Sequence, residues 1–350
     1  MKSVRAAIRS LTRRIDRVAG AMFPGRRYSA ATLDLDLPVV AADPYPHYES
    51  LRRSGPVHHL TRHRAWIVLG YEEVQFGFSR HDLFSNRLYV DVDTVFLGAD
   101  PPEHPAIRRI VSRYFSLEAL DRASAHVEEL AASLIVPELD VVRGYGLPIS
   151  EGAATNLLGL DDRAVEIIRT AHRTQTRTED YFAVFERVAD RAALYQRCLS
   201  EGLAEADARS LIRLLWVAAT TTTERAISRC VLRLLQHPDL RRLLERDETM
   251  IAPMIEEVLR LHPPEMLVKR IATVPVTLGG VTIPANAVVY FSIAAANRDP
   301  ARFEDPGTLR IERSGPRHFS FGFGIHHCVG AALARREIAI AIRTLLTRAP

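Results

Sequence analysis

The run His318-Phe-Ser-Phe-Gly-Phe-Gly-Ile-His-His-Cys328-Val-Gly330 constrains this chain more than any other segment. Gly322, Gly324 and Gly330 surround one cysteine, which opens the apolar stretch Ala331-Ala-Leu-Ala-Arg335. Glycines permit a tight loop and a close backbone approach to a flat ligand. A cysteine at a helix N-terminus feels the positive end of the dipole, so its thiolate is expected to be favoured. Such a loop suits a soft metal or a haem iron. Three other readings compete. His326-His327-Cys328 suggests zinc, but adjacent residues rarely converge on one tetrahedral ion and no Cys-x-x-Cys partner exists. Gly322-x-Gly324 lacks the third glycine and distal acid of a dinucleotide loop. A free buried thiol is the bland alternative.

Composition narrows the class. The chain has 350 residues, 47% of them hydrophobic and 25% charged, which fits a globular protein with a large core and excludes disorder. No apolar stretch is long enough to span a membrane. Cys198, Cys230 and Cys328 are sparse and far apart, so a disulfide framework is not expected and a reducing, cytoplasmic location is. The net charge is +4, and only Lys2 and Lys269 are lysines. No basic run is interleaved with aromatics, so nucleic-acid binding is not indicated. Residues 1–20 carry Ile8, Leu11, Ile15 and Val18 at helical spacing among arginines. That pattern suits a surface-binding helix or a frayed, solvated one.

Helical patterns dominate the rest. Short helices are expected over 43–54 and from His104 to Phe115, with Ser116 as the N-cap of the next. A strand pair is expected between Val57 and Gly70. Long helices are expected over Leu203–Gln236 and 250–261, with a final one from Val329 to Leu346. Val274 to Ser292 reads as β, with turns at Gly279-Gly280 and Pro284-Ala285-Asn286. Residues 85–103 read as a loop. The fold class is mainly α with a small β component. The expected organisation is an N-terminal extension over 1–40 and a single domain over 41–350.

Phe321-Gly-x-Gly-x-His-x-Cys328-x-Gly330 followed by Leu333-Ala-Arg335 resembles the haem-binding signature of the cytochrome P450 family. Glu257-Val-Leu-Arg260, Ala296-Asn-Arg-Asp-Pro300 with Phe303, and His104-Pro-Ala-Ile-Arg108 resemble further family segments in the right order. The resemblance covers roughly residues 40–350. It implies a P450-like fold and haem b, with Cys328 as the axial thiolate ligand and Phe321 shielding the sulfur. It also implies that His104, Arg108, Arg270, His318 and His326 lie near the haem carboxylates and that Gly330 lets the loop close. The implied activity is P450-type monooxygenation of a small or medium organic molecule, in bacterial specialised metabolism. No flavin or iron–sulfur motif is present, so a ferredoxin and a ferredoxin reductase are the implied partners. Arg109, Arg113, Arg335 and Arg336 are candidates for docking an acidic donor.

The chain departs from the family on the oxygen side. Its segment reads Trp216-Val-Ala-Ala-Thr220-Thr221-Thr222-Thr223-Glu224, where the family has Ala-Gly-x-Acid-Thr. Thr222 then aligns with the oxygen-side threonine, and Thr221 stands in place of the acid. Four β-branched polar residues are expected to disturb a regular helix and open a groove. A missing acid points to slow or uncoupled turnover, peroxide dependence, oxidative coupling or cyclisation, or a rearrangement without dioxygen. A non-catalytic haem-binding partner protein is a further alternative. Thr308 replaces the basic residue that often joins the Glu257–Arg260 pair, leaving Arg310 or Arg313 to substitute. Little chain follows Cys328, so much of the usual C-terminal hairpin is expected to be absent. Short lid helices over about 161–202 are expected too, with an open pocket for a large or carrier-presented substrate.

Overall fold

The computed structural model describes residues 29–89, 95–173, 183–185 and 187–348. The amphipathic pattern over residues 1–20 lies outside them. The main helices are α1 (Tyr45–Arg52), α2 (Tyr71–Ser79), α3 (Glu103–Tyr114), α4 (Leu117–Ser133), α5 (Leu147–Leu158), α6 (Asp162–Arg173), α7 (Ala193–Ser200), α8 (Glu205–Gln236), α9 (Pro238–Arg246), α10 (Ile251–Leu261) and α11 (Ala331–Arg348). The strands are β1 (Val57–Leu60), β2 (Ala65–Val68), β3 (Phe84–Ser85), β4 (Leu267–Ala272), β5 (Val276–Leu278), β6 (Val281–Ile283) and β7 (Val288–Ser292). One sheet runs β1-β2-β7-β4-β3, and β5-β6 form a separate hairpin. The mainly helical expectation holds, and Ser116 caps α4 by accepting from the Ala119 N–H at 3.3 Å. The packed body reaches back before residue 41, because Leu33 and Val40 are buried against Tyr48, Leu51, Leu60 and Ile67.

Helix α8 is the spine. Its N-terminal half buries Leu211, Ile212 and Trp216 against Ile168 of α6 and Phe185. Its C-terminal half buries Ile227, Cys230 and Leu234 against Met254, Ile255 and Val258 of α10 and Ile338 and Ile342 of α11. The threonine run does not break it: α8 is one continuous α-helix through Glu205–Gln236. The hydroxyls are absorbed by their own helix. Thr220 donates to Trp216 O at 3.0 Å, Thr221 to Val217 O at 3.0 Å and Thr222 to Ala218 O at 2.7 Å. Back-bonding satisfies the hydroxyls, and burial on both flanks outweighs the weak intrinsic propensity of threonine. The expected groove is therefore not a defect of the helix. It is simply its uncovered face, where Ala218, Thr221 and Arg225 are exposed.

Below that face, a row of arginines one turn apart ties α8 to the turn that leads from α10 into β4. Arg225 donates to Pro264 O at 3.4 Å. Arg229 donates to His262 O at 2.7 Å and Pro263 O at 2.6 Å. Arg298 and Tyr45 both donate to Leu261 O, at 2.6 and 2.8 Å. The last carbonyls of a helix have no partner within it, and Pro263-Pro264 cannot prolong the helix, so cations fill the gap. His262 sits among them with its ring bonded to Arg233. Burial first, then Arg233, Arg298, Arg229 and Arg260, lower its pKa from 6.5 to about 3. Between those values the unfolded chain takes a proton that the native state refuses. Stability is therefore full above pH 6.5 and falls as the pH drops toward 3. Thermal midpoints at pH 7 and pH 5 should differ more in the wild type than in His262→Gln, and equal differences would remove His262 as the cause.

Candidate active site

The cysteine loop is shaped by the protein's own hydrogen bonds. Phe319 N–H donates to Asn297 Oδ1 at 2.7 Å, and the Asn297 amide donates to Ser320 Oγ at 3.0 Å. Ser320 Oγ in turn donates to Leu259 O at the end of α10, at 2.7 Å. Cys328 N–H donates to Phe321 O at 2.8 Å and closes the loop. Gly324 has φ +71°, and a Cβ there would collide with the Phe78 carbonyl, so only glycine fits. Gly330 is less tightly constrained: a Cβ there would make ordinary contacts, 3.5 Å from the Phe115 ring and 3.9 Å from Cys328 Sγ. Phe321 stacks under Arg335, whose guanidinium is 4.2 Å from the ring centre.

The Cys328 side chain is exposed to solvent, yet protein atoms crowd around it. Burial therefore pushes its pKa up, although Gly330 N–H, Arg108 and Arg335 each pull it down. The helix-start argument for a free thiolate is overturned by this desolvation. A thiolate here calls for a cation of its own, which a metal supplies.

Cationic and donor groups gather from distant segments. His104 is 2% exposed, its ring stacks on Phe96 at 5.3 Å, and its Nε2 has no hydrogen-bond partner. Burial, then His326 and Arg108, lower its pKa to about 4. The His326 ring lies 4.2 Å from the His104 ring, and its Nε2 is also unpartnered, 3.8 Å from Asp100 Oδ1. Burial would push Asp100 up, but His326, Ser85 and Asn86 beside it hold it down at about 2. Arg108 hooks the cysteine loop, donating to Ile325 O at 3.2 Å and His327 O at 2.5 Å. Arg270 on β4 is 6% exposed and donates to Lys269 O at 2.8 Å, and burial lowers its pKa to about 10. Unpartnered buried imidazole nitrogens, a buried guanidinium and a thiol beside Arg108 fit a haem, whose carboxylates and soft iron complement each of them. His318 is placed elsewhere. It accepts from Ser320 N–H at 3.2 Å through Nδ1, while Nε2 lies 3.2 Å from Glu256 without hydrogen-bond alignment. It belongs with Glu256, Arg335 and Phe321 rather than with His104 and His326.

A second buried network holds the loop from behind. Arg260 forks onto Glu257 at 2.7 and 2.8 Å and reaches the carbonyls of Asn297 and Pro306 at 2.8 Å each. The missing basic residue at Thr308 is replaced twice. Arg310 donates its backbone N–H to Glu257 at 2.9 Å, and Arg313 donates its guanidinium at 3.1 Å.

Three of the four candidate docking arginines are internally paired. Arg113 meets Glu201 at 2.8 Å, Arg335 meets Glu256 at 2.8 Å and Arg336 meets Asp121 at 2.6 Å. Arg109 is exposed. Asp100, Glu256 and Phe115 were not singled out from sequence. Asp100 carried a signal, since it directly precedes Pro101-Pro102 and His104.

Comparison with known proteins agrees with this geometry. The family model described as Cytochrome P450 matches residues 164–348. The chain is 31% identical to the cytochrome P450 monooxygenase PikC of Streptomyces venezuelae, over 89% of this chain and 85% of that protein. It is 29% identical to the 6-deoxyerythronolide B hydroxylase of Saccharopolyspora erythraea, covering 91% of each. Among solved structures, P450BioI in complex with an acyl carrier protein bearing hexadec-9Z-enoic acid superposes with a TM-score of 0.79, at 27% identity, over 88% of this chain and 92% of that one.

Proposed function

This chain belongs to the cytochrome P450 family of haem b monooxygenases, and on that premise we propose that Cys328 is its iron ligand and that its substrate is a small or medium organic molecule, free or carrier-bound, of bacterial specialised metabolism. The observation that carries the assignment is the Cys328 thiol beside Arg108, the guanidinium that also stands beside the unpartnered nitrogens of His104 and His326. Arg108, Arg270, His104 and His326 would receive the haem carboxylates, Gly330 would give the sulfur room, and Phe321 would back the loop. The haem, when bound, supplies the oxidising power. The protein's part is to hold it, exclude water and meter protons. The test is a carbon monoxide difference spectrum of the reduced protein, where a thiolate-type band is expected and its absence would defeat the assignment.

Electrons would come from a separate ferredoxin and its reductase. With Arg113, Arg335 and Arg336 internally paired, Arg109 is the candidate left for an acidic donor. A carrier-bound substrate is supported by the P450BioI complex with its acyl carrier protein, which shares this fold.

Thr221 and Thr222 are proposed as the oxygen-side hydroxyls. They stand on the uncovered face of α8, and each donates its proton back to the helix, so each keeps lone pairs to accept one. No carboxylate neighbours them in sequence except Glu224, which accepts from Ser228 at 2.8 Å. Thr221→Glu is therefore expected to raise product formed per reducing equivalent severalfold, toward full coupling, since one general acid contributes about a hundredfold or more to its proton-transfer step. Unchanged coupling would favour the peroxide-driven or non-oxygenating alternatives, which labelled dioxygen would then separate.

A further inference from the structure

The arginine row on α8 does more than close the end of α10. It delivers a carboxylate to the helix face where the sequence has none. We propose that Glu265, held by Arg225, is the acid that feeds protons to Thr221 and Thr222 during dioxygen reduction. The proposal deepens the function stated above and rests on it.

Arg225 follows Thr221 by four residues, so the two side chains share one face of α8, one turn apart. Both are exposed on that face. Arg225 Nη1 lies 3.2 Å from Glu265 Oε1 and 3.4 Å from Pro264 O, so it grips the acid and the backbone beside it. Arg229 fixes the preceding carbonyls of His262 and Pro263, which leaves the Glu265 backbone little freedom. Burial first, and the Glu265 carboxylate in smaller part, raise the pKa of the Tyr89 phenol, which accepts from Lys269 N–H at 2.9 Å, while that N–H and Arg270 lower it. One phenol thus feels both the proposed acid and a proposed haem contact.

Its chemistry suits the role. Burial raises the Glu265 carboxyl above the usual range, against the pull of Arg225 and Arg229. An acid that holds its proton closer to neutral pH is the better general acid. Its side chain is still 55% exposed, so it can be reprotonated from water. Monooxygenation consumes a substrate C–H, one dioxygen, two electrons and two protons, and yields an alcohol and one water. A one-electron donor protein supplies the electrons. Glu265 releases one proton toward the threonine hydroxyls, Arg225 stabilises the carboxylate that remains, and bulk water restores the proton before the second transfer.

The test needs neither the substrate nor the donor protein. Reduced holoprotein is mixed with dioxygen and one equivalent of a small chemical reductant, which supplies the second electron, in light or heavy water, and the single-turnover decay of its visible spectrum is followed against pH. The wild type should decay faster at lower pH and more slowly in heavy water. Glu265→Gln should decay about a hundredfold more slowly and lose the isotope effect. Adding Thr221→Glu to that variant should restore the rate, which a merely structural role for Glu265 would not do. One infrared carboxylic-acid component of the wild type, titrating above the ordinary glutamate range, should be missing in Glu265→Gln. Should Glu265→Gln not hold haem, Thr221→Val carries the same expectation for the decay. A Glu265→Gln protein with an intact carbon monoxide band, wild-type decay and an unchanged isotope effect overturns the proposal. A wild type without the carbon monoxide band overturns the haem–thiolate assignment instead.

Discussion

Cys328→Ser is expected to abolish the thiolate-type carbon monoxide band entirely and to reduce turnover to background. Serine keeps the size and the N–H bond from Cys328 to Phe321 O that closes the loop. It removes the soft, electron-rich donor, and an alcohol of far higher pKa does not replace it at neutral pH. The fold should survive, since the loop is pinned by Asn297, Ser320 and Arg108 rather than by the sulfur. A thermal midpoint within a few degrees of the wild type, together with a lost band, is the predicted pair of results. Retention of the band in Cys328→Ser would mean that another residue binds the iron.

The second large effect is on stability. Arg260→Ala should cost about 3–5 kcal/mol, the range for stripping one partner from a buried ion pair. Arg260 and Glu257 are 2% and 5% exposed. Removing the guanidinium leaves a buried carboxylate facing only Arg313 and the Arg310 N–H, and it strands the carbonyls of Asn297 and Pro306. Arg260→Lys should recover little, because one ammonium cannot reproduce the fork. Haem content should fall along with the denaturation midpoint, since Asn297 links this network to the cysteine loop. Urea titration checks the magnitude, and a loss below about 1 kcal/mol, as for an exposed pair, would show that the pair is not structurally essential.

What sequence could reveal depended on range. The cysteine loop and the Glu257–Arg260 pair were legible because each packs its information into a few adjacent residues. The replacement for Thr308 was not, because Arg310 acts through its backbone and Arg313 through its side chain, and only the folded turn sets both at one carboxylate. Strand β4 escaped notice because Lys269 and Arg270 interrupt its apolar pattern, although Arg270 is buried. Helix α5 escaped for the opposite reason: burial nearly all round left no clear stripe. The threonine run misled in a third way, since intrinsic propensity does not count the burial of α8 on either side of it. Glu265 was invisible because its partner, Arg225, belongs to another element.

The pegs of the cysteine loop have a consequence for how the enzyme is made. Asn297, Ser320, Arg108 and the Glu257–Arg260 knot are all supplied by the polypeptide, so the cradle's outline is specified before any prosthetic group arrives. Loading then resembles filling a finished mould rather than folding around a template. Protein produced in haem-starved cells should accordingly be recoverable by adding haem afterwards, with uptake limited by entry into the pocket rather than by refolding of the chain.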